Sequence, residues 1–232
     1  MNHPHLTKSP RTLSKDGSLH VTDEICNTLI SSVGALLSLA GTILLITFSV
    51  QAHKFWQILS FSIYGPTVIF VFLSSALHHG IDGSEKTEHL LRQLDYYAIF
   101  LAIAGTVTPF CLILFRNNRG WSLLGLVWSL ALAGIVLKTF FHHLPKWVWV
   151  GIYIGMAWSS LVILYPLYRL MPTGLEMILA GGLFFMVGSA IYYLEKPNPF
   201  PGKFGFHEIW HLFVVAGMAS NFSVMYFYLL PH

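Results

Sequence analysis

A handful of ionisable side chains interrupt the apolar stretches of this chain: His78, His79, Asp95, His207, Glu208 and His211. Ionisable groups are costly within a membrane or an apolar core, so each starts as a candidate for function. His207 and His211 are four residues apart. On a helix they share one face, about 6 Å apart along the axis, a spacing that lets two imidazoles bind one metal. A third ligand from another helix, His79, completes a three-histidine set with an open fourth position, the pattern of catalytic zinc (Zn2+). Asp95 could then hold or deprotonate a water. Ser75, four residues before His79 on the same face, could donate to a bound oxygen. His78 points about 100° away from His79 on a helix, which suits a non-ligand role. His142 and His143, beside Lys138 and Lys146, read as solvated interfacial residues.

His207-Glu208-Ile209-Trp210-His211 also matches H-E-x-x-H, in which the glutamate is the general base of a zinc protease. Three fixed positions in five are weak evidence. The motif opens the last apolar segment, with no later aspartate motif behind it. Glu208 reads more simply as a solvated acid at a helix start, where the dipole favours it.

The elements that must position these residues are membrane helices. Of the 232 residues, 55% are hydrophobic and 10% charged, against about 25% charged in globular domains. A spanning helix needs about 20 mostly apolar residues. Seven windows nearly free of Asp, Glu, Lys and Arg have that length, at roughly 27–50, 55–79, 92–115, 121–138, 147–168, 174–194 and 206–230. The fold expected is an all-α integral membrane protein, a seven-transmembrane-helix bundle over 25–232. A polar N-terminal segment, 1–24, is expected to be mobile.

With the N-terminus in the cytoplasm, Lys8, Arg11, Lys15, Lys86, Arg92, Lys138, Lys146, Lys196 and Lys203 fall inside, and Lys54, Arg116, Arg119 and Arg169 outside. The bias obeys the positive-inside rule and puts the C-terminus outside. It also puts His79, at the end of the second span, at the cytoplasmic depth of His207 and His211 in the first turns of the seventh. Asp95 joins them, in the first turn of the third span.

Other features are structural. Gly151-x-x-x-Gly155 could dimerise two chains, but is expected to let two helices of one bundle approach. Pro109 should kink the third span. Trp147 and Trp149 read as interfacial belt residues. Cys26 and Cys111 read as small apolar filler, not a disulfide. The longest connections expected are about 80–91 and 196–205, the second stiffened by prolines.

Four blocks, in order, resemble the hemolysin III-type proteins of the progestin and adipoQ receptor superfamily. They are Glu24-Ile-Cys-Asn27; Ser75-Ala-Leu-His-His79; Leu94-Asp95-Tyr-Tyr-Ala-Ile with Ala104-Gly-Thr-Val-Thr-Pro109; and Phe204-Gly-Phe-His207-Glu-Ile-Trp-His211. The resemblance implies zinc held by His79, His207 and His211, with Asp95 contacting it through water and Ser75 nearby. It implies seven spans with the N-terminus inside. Eukaryotic receptors of the superfamily are linked to hydrolysis of ceramide-like lipids, and the bacterial branch carries a hemolysin label. The chain departs from many relatives at Ser31 and Asn221, where histidines are common, and at His78, where tyrosine is common.

The function expected is a zinc-dependent membrane hydrolase of lipid amide or ester bonds, working in a bacterial inner membrane. The alternative is a receptor-like or pore-forming protein with a structural zinc. Membrane lipids are the expected partners and nucleic acid is not; a homodimer stays open.

Overall fold

The computed structural model describes residues 14, 15, 18, 20, 22–141 and 144–232. His142 and His143 therefore lie outside the described residues, as does most of the segment before 22. Seven helical segments among the described residues are long and apolar enough to cross a membrane. The first four are α1 (Ile25–Gln51), α2 (Phe55–Gly80), α3 (Glu85–Pro109) and α4 (Asn118–Phe140). The fifth segment is α5 (Lys146–Trp158) and α6 (Leu164–Leu170), joined by a 3-10 stretch over Ser159–Ile163. The sixth is α7 (Pro172–Leu194) and the seventh α8 (Phe206–Val224). Short connections make consecutive segments antiparallel. The ends of α2, α4 and α7 thus share one end of the bundle with the starts of α1, α3, α5 and α8.

Packing is uneven. α1 lies against α2, α2 against α3, and α7 against α8 over long stretches, while α5 and α6 touch their neighbours sparingly. Large apolar side chains such as Leu36, Phe140, Tyr165 and Leu183 face outward, as a lipid-solvated surface allows. The core is aromatic and aliphatic: Leu45, Phe61, Phe100, Val127 and Met225 are fully buried.

The third helix begins seven residues earlier than the charge gaps suggest. Ser84 caps it, its hydroxyl accepting from the Thr87 amide at 3.3 Å, with Glu85 and Glu88 in the first turn. Favourable capping extends a helix beyond its apolar part, so the connection after α2 is only 81–84. Asp95 accordingly sits in the third turn of α3, not the first. Pro109 ends the regular part of α3, and a π-helical turn follows over Phe110–Leu114, a distortion that proline causes by withholding its N–H. The 3-10 break before α6 has the same kind of origin. Pro166 cannot donate to the carbonyl of Val162, and the Ser159 hydroxyl bonds back to Met156 O at 2.6 Å.

Two further expectations change. A side chain at Gly151 or Gly155 would meet nothing within 4 Å, so the GxxxG is not a close approach inside the bundle. Trp147 is exposed as an interfacial residue should be, but Trp149 is 4% exposed. Cys26 and Cys111 are free. At the N-terminal end, Lys15 and Ser18 are buried against the bundle.

Candidate metal centre

His79 enters from the last turn of α2, and His207 and His211 from the first two turns of α8. One ring nitrogen from each lies within 4.8 Å of the other two. His79 Nε2 and His211 Nε2 are 3.2 Å apart. Tetrahedral zinc with bonds of about 2.0–2.1 Å separates its ligand nitrogens by about 3.3 Å, so this pair is already at ligand spacing. The rings of His79 and His207 are 4.9 Å apart, and those of His207 and His211 4.8 Å.

The other nitrogen of His79 is also held. Glu24 Oε2 lies 2.7 Å from His79 Nδ1. A carboxylate there fixes the tautomer that leaves Nε2 free as a ligand, the usual outer partner of a metal-binding histidine. Asn27 Nδ2 donates to the same Glu24 oxygen at 2.8 Å. Glu24 has φ 63°, in the left-handed region, where it begins α1. A non-glycine residue held there is strained, and the strained turn carries the acid that braces His79. The donor set, its spacing and this brace all fit a zinc ion.

Below the histidines lies a cavity of about 930 Å³ walled by α2, α3, α5, α6, α7 and α8, with Lys138 of α4 at its edge. Ligand cavities range over about 300–1,000 Å³. His207, His211, His78, Asp95 and Ser75 face it at one end, and Met218 and Asn221 at the other. From His207 to Asn221 the α8 axis rises about 21 Å. Between these limits the wall is largely Leu, Ile, Val and aromatic side chains. The sparse packing of α5 and α6 leaves this volume.

The sequence-predicted residues are brought to one end of the bundle, with two changes of partner. Ser75 Oγ is 2.9 Å from Ser31 Oγ. Its hydroxyl neighbour is thus the residue standing where many relatives have histidine. The hydroxyl that reaches Asp95 is that of Ser74, 3.4 Å from Oδ1. His78 is 3% exposed, faces the cavity, and its Nδ1 has no hydrogen-bond partner among the described residues.

Glu208 is not a solvated acid. It is fully buried, and its Oε2 accepts from the Gly205 amide at 2.7 Å. Asn198 Oδ1 accepts from the Phe206 amide at 3.0 Å. Glu208 and Asn198 thus serve the start of α8, and Glu208 is absent from the cavity wall. H-E-x-x-H here is a helix cap interleaved with two candidate ligands, and Glu208 is not placed as a zinc-protease base.

Sequence reasoning gave no role to Glu24, or to Lys15. Lys15 Nζ donates to His78 O (3.1 Å), His79 O (2.8 Å) and Ile81 O (2.9 Å), and pairs with Asp82 at 3.1 Å. It thereby satisfies carbonyls that the end of α2 leaves open. The available signal for Glu24 was its place just before α1, at the depth of the histidines. For Lys15, inside a polar segment, there was none.

The family model described as "Haemolysin-III related" matches residues 19–222. The chain is 40% identical to "Hemolysin-3" of Bacillus cereus over 212 residues, which cover 91% of this chain and 94% of that protein. It is 38% identical to "Hemolysin-3 homolog" of Bacillus subtilis (strain 168) over 90% of this chain and 95% of that one. "Heptahelical transmembrane protein 5" of Arabidopsis thaliana is 27% identical over 70% of this chain and 48% of the plant protein. With its seven apolar helices and bacterial relatives, the chain is a multi-pass integral protein of the plasma membrane, and it belongs to the Haemolysin-III related family.

Proposed function

We propose that the protein is a zinc-dependent hydrolase of lipid amide or ester bonds, with its site at the cytoplasmic leaflet. The observation that carries this reading is the opening of a three-histidine cluster onto a long apolar cavity, with a carboxylate on the shared wall. A structural metal needs closure; a catalytic one needs substrate access.

His79, His207 and His211 would hold the ion, and Glu24 would keep His79 in the ligating tautomer. Zinc supplies Lewis-acid polarisation of a carbonyl and acidifies water. The acyl chain lies along the wall from His211 toward Asn221, which aligns the scissile carbonyl at the polar end. Asp95 accepts the proton from the attacking water as the new C–O bond forms at the carbonyl carbon. It then returns that proton to the leaving nitrogen or oxygen as the old bond breaks, giving a fatty acid and an amine or alcohol. Ser75 contributes a hydroxyl beside the developing oxyanion. The basic-residue asymmetry sets the N-terminus and this end of the bundle in the cytoplasm.

Purified protein offered ceramide-like and ester lipids in liposomes should release fatty acid, detected by mass spectrometry, and a chelator should stop it. The names of the Bacillus relatives favour a second reading, membrane damage. That activity needs neither Asp95 nor a metal, so dye leakage that survives Asp95→Asn and chelation, with no fatty acid released, would favour it.

A further inference from the structure

At the same end of the cavity as the histidines, two cations face inward. Lys138, in the last turn of α4, is 6% exposed and lines the cavity. Its Nζ lies over the Tyr96 ring at 3.8 Å and over the Trp149 ring at 4.3 Å. These faces come from α3 and α5, so the ammonium is clasped between three helices. A Tyr97–Thr139 hydroxyl contact at 2.7 Å fixes α3 against α4 beside it. Arg92 lines the cavity too, one turn before Tyr96 on α3, the residue whose ring carries the Lys138 ammonium.

Among the described residues, neither cation has a carboxylate partner. Arg92 donates to the Lys15 carbonyl at 3.4 Å. Lys138 Nζ has no oxygen acceptor among the described residues. Aromatic faces attract an ammonium but accept none of its N–H bonds in the way an oxyanion does. Two like charges lining an apolar cavity, neither with a carboxylate among the described residues, are an unfavourable arrangement unless an anion completes it. The covering of Trp149 by Lys138 also explains why this tryptophan is buried rather than interfacial.

We infer that Lys138 and Arg92 bind the phosphate of an acyl lipid whose chain occupies the cavity, so the substrate class is an anionic glycerophospholipid. The inference rests on the hydrolase reading for the word substrate, and on these two cations alone for binding. Neutral ceramide-like lipids would use the same cavity without this contact. The shared chemistry, a phosphate monoanion or dianion, could also come from the cytosol as inorganic phosphate.

The test is lipid binding to the full-length protein, read by native mass spectrometry from a neutral maltoside detergent. The probes are dioleoyl phosphatidylglycerol, dioleoylglycerol with the same chains, and inorganic phosphate. Wild type should bind the phosphatidylglycerol about tenfold or more tightly over dioleoylglycerol, the scale of a charge-assisted contact. Lys138→Met and Arg92→Gln should each bring the two lipids close to parity. Lys138→Arg should keep the preference, as should Lys86→Gln, a change at an exposed cation away from the cavity. His211→Ala, impaired in zinc, should also keep it, so failure of the hydrolase reading would not mimic failure here. Zinc content should be unchanged by Lys138→Met. Equal binding of the two lipids by wild type would overturn the inference. So would a preference that survives both Lys138→Met and Arg92→Gln, or inorganic phosphate displacing the lipid at equal concentration.

Discussion

Glu24 and His79 meet across the start of α1 and the end of α2, carboxylate Oε2 to ring Nδ1 at 2.7 Å. The contact reaches across 55 positions of sequence and links the strained turn at Glu24 to the proposed ligand set. Outer partners of this kind contribute about 10–100-fold in metal affinity. Glu24→Gln should therefore weaken zinc binding by about that factor while leaving the helical circular dichroism intact. Competition with a chromophoric chelator measures it; an affinity equal to wild type would remove Glu24 from the site.

The ligands themselves are predicted to be His79, His207 and His211, with one zinc per chain as a single three-histidine site implies. Alanine at any of the three should lower occupancy in elemental analysis. It should also lower the melting temperature, because bound metal stabilises the fold that binds it. His78→Ala should leave occupancy near wild type, although His78 faces the same cavity. Equal loss from all four changes would show that the ligands were wrongly chosen.

Lys15 ties the N-terminal segment to the carbonyls at the end of α2. Lys15→Met keeps the apolar stem and removes these charge-assisted bonds, leaving the carbonyl oxygens without the ammonium. Bonds to charged groups contribute about 1.5–3 kcal/mol each in favourable cases. The expected net cost is at the lower end, about 1–2 kcal/mol, because the pair with Asp82 is largely solvated on the acid's side. Thermal unfolding in detergent checks it; an unchanged midpoint would mean the segment adds nothing to the bundle.

The positive-inside asymmetry predicts a cytoplasmic N-terminus and an outward C-terminus. A periplasmic-type reporter fused after His232 should be active, and a cytoplasmic-type reporter inserted in the 81–84 connection should be active as well. The reverse pattern would turn the site to the outer leaflet.

Much of this was legible before any coordinates. Charge gaps locate the seven apolar segments because lipid tolerates so few charged side chains. The four-residue spacing of His207 and His211 survives in the structure because it is a local property of one helix. What was not legible is of two kinds. Helix ends set by caps escape a hydropathy reading: Ser84 starts α3 well before its apolar part, which moves Asp95 from the first turn into the body of the helix. Contacts made across the sequence escape it too. The partner of Ser75 is Ser31, the brace on His79 is Glu24, and the clasp on Lys138 comes from Tyr96 and Trp149. Glu208 had the right residue type for a base, yet its burial against the Gly205 amide is a matter of where the preceding loop runs.

Asp95 is proposed to move a proton during lipid hydrolysis at a zinc-supported site. Asp95→Asn keeps the shape of the side chain and cannot accept that proton. The most direct measurement compares fatty acid released from a panel of ceramide-like and ester lipids by wild type, Asp95→Asn and chelator-stripped protein, with zinc content read on the same samples. Asp95→Asn should retain its zinc and lose turnover by about 100-fold or more, the scale of a lost general base. Release by wild type no faster than by Asp95→Asn and by stripped protein would contradict it.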